Sequence, residues 1–257
     1  MWGVLEFIHK HTHLLLCLLV FIATLTAVGN FQVFVSKQSL SYWDPESSVI
    51  WRFLLDSLLL LLFIGQHSFM STRWFKDKLA SWLYITVSER MIYVAATCAC
   101  LLFTVLQWQS IPETYLWFVD TRERFLLWTF FFLCHVVCWF LLGLEILLMD
   151  CSEMLGISQV YRYHSSLSPP LAQKARKLRE IYSRMRHPGS LLLTLMLWLH
   201  PLMTLDRLLL ASVLTTYMIG RHSFEESHYE FAEKYFTVEQ VERKSSSSVR
   251  YEYVREN

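Results

Sequence analysis

Charge is scarce in this 257-residue chain: Asp, Glu, Lys and Arg together make up 18% of it, and the net charge is +1. That balance gives no electrostatic reason for direct contact with nucleic acid or with an acidic substrate. Glycine and proline are also few, at 7 and 6 residues, too few for a collagen-like or Pro/Gly-rich disordered chain. The six cysteines offer no pair in any loop assigned below to the lumen, so a disulfide framework is not expected. The first apolar run, from Leu14 to Val35, has no small-x-small cleavage site and exceeds a signal-peptide core; it reads as a retained helix. Neither an internal repeat nor a basic localisation run stands out.

Apolar side chains fill the space that charge leaves. Hydrophobic residues make up 54% and aromatics 16%, and the mean hydropathy is +0.34. A soluble domain rarely carries so much. The apolar runs predict an all-α, polytopic transmembrane bundle of about six helices, at about 14–35, 53–70, 91–107, 125–149, 189–205 and 208–219. The last two are short and separated only by Asp206-Arg207, so they read as a tight hairpin. Residues 1–220 form one membrane domain on this reading, and 221–257 a polar tail with an amphipathic surface helix and a disordered end.

Lysine and arginine set the orientation. Arg73, Lys76, Lys78 and Arg90 lie between the second and third helices, and seven basic residues from Arg162 to Arg186 lie between the fourth and fifth. The intervening loops hold only Lys37 with Arg52, and Arg122 with Arg124, offset by acids. Both termini are therefore expected on the cytosolic or nucleoplasmic side. Trp43, Trp51, Trp108, Tyr115 and Trp117 fall near span ends, where amphipathic rings favour the interface.

Ionisable groups inside spans are costly, which makes each a candidate for function. Asp56 sits one turn into the second helix, where a helix N-terminus and nearby water account for it. His135 is expected to bond a polar group on a neighbouring helix. With Cys134 and Cys138 it cannot close a tetrahedral metal site without ligands from elsewhere, so the thiols read as buried packing. The most specific cluster is Tyr182-Ser-Arg-Met-Arg186-His187-Pro188. Proline suits a first helical turn, leaving Arg186 and His187 beside exposed backbone donors that suit the anionic end of a ligand. Glu225 and Glu226 follow the hairpin on the same side.

Gly65-Gln-His67-Ser, Arg90 with Tyr93, Leu133-Cys-His135, Ser158-Gln-Val-Tyr161, Arg186-His-Pro and Asp206-Arg-Leu-Leu-Leu together resemble the nurim family of nuclear-envelope membrane proteins. The resemblance runs from the second helix through the sixth. It implies the inner nuclear membrane, contiguous with the endoplasmic reticulum, with the bilayer and nuclear-envelope proteins as partners and no established reaction. Part of the pattern is similar to isoprenylcysteine carboxyl methyltransferases. That likeness implies S-adenosylmethionine at Tyr182, Arg186, His187, Glu225 and Glu226, on a methyltransferase-like fold acting on a lipid or prenylated substrate. Two departures count against activity: the family's glycine before the tyrosine is missing, and Glu225-Glu226 stands closer to Tyr235 than the family spacing. A likeness to zeta-carotene isomerases implies haem b with His67 and His200 as axial ligands, although His200-Pro201 also has a plain reading as a helix-ending turn.

Overall fold

The computed structural model describes residues 2–38, 46–83, 88–148, 151–165 and 189–220. The chain divides into two compact units, Met1–Val213 and Leu214–Asn257. The described part of the second, 214–220, is helical.

The described residues are mostly helical. In chain order they form α1 (Trp2–Ser36), α2 (Val49–Ser71), α3 (Arg73–Leu83), α4 (Glu89–Gln107), β1 (Tyr115–Phe118), α5 (Phe125–Leu148), α6 (Cys151–Met154), α7 (Ile157–His164), α8 (Gly189–Trp198), β2 (Leu202–Thr204) and α9 (205–220). Four helices are long and apolar enough to cross a membrane: Lys10–Ser36 within α1, then α2, α4 and α5. Their outward faces stay apolar, with Leu61 and Phe140 about two-thirds exposed. Such faces are untenable in water over this area and suit lipid.

Within the first unit, α4 packs against both α1 and α2, and α8 packs against α5. One buried cluster joins Cys17 and Val20 of α1, Met91 of α4 and Val160 of α7. The α6–α7 turn depends on Gly156, which holds a left-handed φ of 81°. A Cβ there would stand 3.0 Å from Cβ of Arg90, so glycine serves both the conformation and the close approach. Arg90 completes the join, its Nε donating to the Met154 carbonyl at 2.9 Å.

The fifth helix departs from expectation. Instead of running to Leu205, α8 ends at Trp198. Pro201 supplies no N–H, and it pushes His200 out of helical backbone space. The chain then extends as β2 and pairs antiparallel with β1, Tyr115 opposite Thr204 and Phe118 opposite Leu202. Backbone bonds from Val119 N to Pro201 O (2.8 Å) and Leu205 N to Thr114 O (2.9 Å) continue the ladder at both ends. Four consecutive residues, Pro201–Thr204, are buried, and they tie the connection before α5 to the connection before α9.

Candidate functional site

The richest polar chemistry among the described residues caps one end of the first unit, where α2 and α9 begin and α1 and α4 finish. Arg52 and Asp56 are one turn apart on the same face of α2. Both are buried, at 1% and 0% exposure. Arg52 Nη1 donates to the Ser110 carbonyl at 2.8 Å, and Nη2 pairs with Glu113. Asp56 Oδ1 accepts from the Gln109 backbone N–H at 2.9 Å. Asp56, expected to be wetted near a helix start, instead lies fully inside, because the 108–113 segment folds back over α2. Its Oδ2 and the Nε of Arg52 lack partners.

Asp206 closes the same segment from the other side. It accepts from Trp108 Nε1 and from the Ile111 backbone N–H, each at 3.1 Å. Arg207 donates to the carbonyls of Phe34, Val35 and Lys37, acceptors that a helix terminus leaves unmet. Trp108 is buried, and Trp117 Nε1 donates to the His200 carbonyl at 2.8 Å. Both indoles donate within the fold, Trp108 buried and Trp117 half-buried, whereas Trp51 and Tyr115 are exposed. Trp43 lies outside the described residues.

His200 is buried in this cap. Its Nε2 lies 3.1 Å from the Lys37 carbonyl, and its Nδ1 lies 3.2 Å from the Leu202 N–H and 2.8 Å from the Leu202 carbonyl. A neutral ring that donates from Nε2 to Lys37 and accepts at Nδ1 from Leu202 N–H satisfies both nitrogens. Burial first, and then the Arg207 charge, push its pKa from 6.5 down to about 3, against the pull of the Leu202 carbonyl. The His135 ring stands edge-on to it at 6.0 Å. His135 itself bonds Ser36 Oγ at 2.9 Å and the Leu199 carbonyl at 3.0 Å, the neighbouring-helix partners expected of it.

His67 lies at the other end. It contacts the Tyr93 hydroxyl at 2.9 Å and stacks on Phe63. Asp56, in the cap layer, and His67 are 11 positions apart on α2, roughly 16 Å along the axis. The structure therefore does not bring His67 and His200 together, and His200 spends both nitrogens on backbone groups. The pair does not fit the two axial positions of one haem. Tyr182, Arg186, His187, Glu225 and Glu226 lie outside the described residues. Directly after Arg186-His187-Pro188 in sequence, Gly189 opens α8 against α5; a Cβ there would meet Leu142 Cδ1 at 2.5 Å and Glu145 Oε2 at 3.2 Å. Among the described residues no group of three or more His, Cys, Asp or Glu is arranged to hold a metal.

Beside the cap, a cleft of about 660 Å³ is lined by Gln38, Asp120, Arg122, Glu123, Phe125 and Trp128, among others. Sequence reasoning missed the cap as a unit. In the sequence Arg52, Asp206 and Arg207 look like loop charges; burial of Arg52 and Asp206 and the three carbonyls around the half-buried Arg207 make them staples. A usable signal was the density of hydrogen-bonding aromatics in 108–117, since a buried Trp N–H usually finds an acceptor.

No protein-family model matches the chain, and no solved structure matches it. Curated relatives do. The chain is 33% identical over 223 residues to a Nurim homolog of Drosophila melanogaster, covering 82% of this chain and 88% of that one. It is 33% identical over 183 residues to Nurim of Bos taurus, covering 70% and 69%, and equally identical over 185 residues to Nurim of Homo sapiens. With four helices long and apolar enough to cross a bilayer, this chain is a membrane protein that belongs to the nurim family.

Proposed function

We propose that the protein is a multi-pass resident of the inner nuclear membrane, with about six membrane helices of which the last two form a short hairpin, and with both termini on the nucleoplasmic side. It has a methyltransferase-like helical fold and serves through its presence in that membrane rather than through a reaction. The likeness to nurim over 70–82% of the chain carries this reading. The cap supports it: its buried charges are engaged chiefly by the protein's own backbone, as a scaffold requires. On this topology the cap faces the lumen, and α3, with its basic residues, lies on the nucleoplasmic side.

Localisation and topology are tested in one cell line. The full chain, fluorescently tagged, is expected at the nuclear rim, and a reticular signal without rim enrichment overturns the address. A glycosylation acceptor inserted beside Glu113 is expected to be modified, and one inserted between 166 and 188 is not. The reverse pattern overturns the orientation.

A second reading, a methyltransferase using S-adenosylmethionine on a lipid or prenylated substrate, takes its support from Arg186-His187-Pro188 standing directly before a helix start pressed tightly against α5. Tyr182, Arg186, His187, Glu225 and Glu226 would hold the cofactor. Absence of S-adenosylmethionine binding to the purified protein by calorimetry removes this reading and leaves the first intact.

A further inference from the structure

The segment that joins β1 to α5 is held at both ends. Val119 N donates to the Pro201 carbonyl at 2.8 Å, continuing the ladder, and Trp128 N donates to the Arg124 carbonyl at 3.0 Å, starting the helix. Between them, Asp120 Oδ1 accepts from the Arg122 backbone N–H at 3.0 Å, so the chain turns tightly and the second carboxylate oxygen is left over. This turn walls the cleft of about 660 Å³, a volume within the range of small-ligand sites. Three charged side chains, Asp120, Arg122 and Glu123, line it together with three aromatic ones, Phe118, Phe125 and Trp128. Among the described residues none of the three charges forms an ion pair. The cleft lies at the mouth of a span, since Phe125 opens the apolar stretch Phe125–Leu147. Phe125, Trp128 and Phe132 share one exposed face of α5, and Trp128 stacks on Phe132 with centroids 5.0 Å apart and planes 8° from parallel.

We propose that this cleft binds the headgroup of a phosphatidylcholine molecule of the bilayer. Charge selects a zwitterion. Asp120, Arg122 and Glu123 sum to one negative charge, which disfavours an anionic lipid, while the guanidinium suits a phosphate. The two carboxylates then supply the counter-charge for a cation tethered to that phosphate. The three rings decide which cation. A quaternary ammonium has no N–H to donate and is bound by ring faces, as in aromatic cages. A primary ammonium is strongly hydrated and seeks hydrogen-bond acceptors instead. An interfacial aromatic belt accounts for rings alone; it does not account for unpaired charges of both signs in the same cleft. The stacked Trp128 and Phe132 lead from the cleft along the span, a track for one acyl chain. The inference requires only that α5 crosses the membrane, not the nuclear address.

Native mass spectrometry tests it, on the full chain released from maltoside micelles that hold equal amounts of phosphatidylcholine, phosphatidylethanolamine and phosphatidylglycerol with matched chains. The first lipid retained is expected to be phosphatidylcholine. Its preference over phosphatidylethanolamine is expected to fall about twofold to fivefold in Trp128→Leu, the size of one exposed cation–π contact. The preference is expected to stay in Trp51→Leu, an exposed tryptophan outside the cleft. Glu123→Lys is expected to move the preference toward phosphatidylglycerol. Equal retention of the three lipids by the wild type overturns the site and leaves ordinary lipid contact, as does a preference that neither Trp128→Leu nor Glu123→Lys moves. A wild-type preference for either other lipid overturns it as well. Should Trp128→Leu lose its fold, Glu123→Lys, at an exposed position, decides alone.

Discussion

The two ends of the first unit are held by different chemistry. At the capped end, Arg52, Asp56, Asp206 and Arg207 bond mainly to backbone groups of sequence-distant segments. At the other end most contacts join one side chain to another, His67 to Tyr93, Gln66 to Thr97, His13 to His164 and Lys76 to Glu89, and Arg90 alone reaches a distant backbone carbonyl, that of Met154. A charged group bonded to buried backbone is strong, and leaving its partner unmade is expensive. Partly exposed side-chain pairs form and break at smaller cost. One end therefore fixes the register of the helices, and the other is free to respond.

The largest expected effect lies in the cap. Asp206→Ala strands the Trp108 Nε1 and the Ile111 N–H, both buried, and is expected to cost about 3–5 kcal/mol in detergent thermal unfolding. Tyr93→Phe, at the other end, removes one partly buried hydroxyl contact and is expected to cost about 1 kcal/mol. Equal losses in the two variants would break the distinction between the ends.

Acid acts on the cap next. His200 is held neutral by burial, with a folded pKa of about 3 against an ordinary 6.5. Its contribution is therefore complete above 6.5 and is lost as pH falls below that, because only the unfolded chain takes up the proton. The slope is at most about 1.4 kcal/mol per pH unit, or roughly 2 kcal/mol by pH 5. His200→Gln is expected to flatten the melting temperature between pH 6.5 and 4.5. An unchanged slope would mean that His200 takes up a proton inside the fold.

At the responsive end, Gly156→Ala places a Cβ against Arg90 in a left-handed conformation. A loss of about 1–2 kcal/mol is expected, below that of Asp206→Ala. Unfolding monitored in the same detergent decides the order.

Hydropathy runs made the long helices legible, because a span has to be apolar over its whole length. The sequence also marked His135 as needing a partner and His200-Pro201 as a turn. It did not reveal the β1–β2 pairing. Those strands are only four and three residues long, and their register depends on contacts across more than 80 positions. Nor did it separate Asp56 as a solvated helix-start acid from Asp56 as a fully buried acceptor. That difference depends on where Gln109 comes to rest, which no local pattern records.

Glu113 gives the smallest effect and sharpens the comparison within the cap itself. Arg52 is buried beneath it, while the Glu113 side chain is 42% exposed. The hydrogen bond from Arg52 holds its pKa below the ordinary 4.5. A lowered carboxyl contributes stability above the unfolded value, lost as pH falls through the lowered one, so its step lies below about pH 4.5 and adds to the lower part of the His200 loss, which runs from 6.5 to about 3. Solvent screens an exposed partner, so Glu113→Gln is expected to cost less than about 1 kcal/mol at neutral pH. Arg52→Met should cost more, because the Ser110 carbonyl also loses its donor. In a melting series against pH, Arg52→Met is expected to reduce the slope below 4.5 to the His200 contribution alone while leaving the slope between 6.5 and 4.5 unchanged. Loss of both steps together would mean that the Arg52 layer and the His200 layer unfold as one unit rather than as two separate staples.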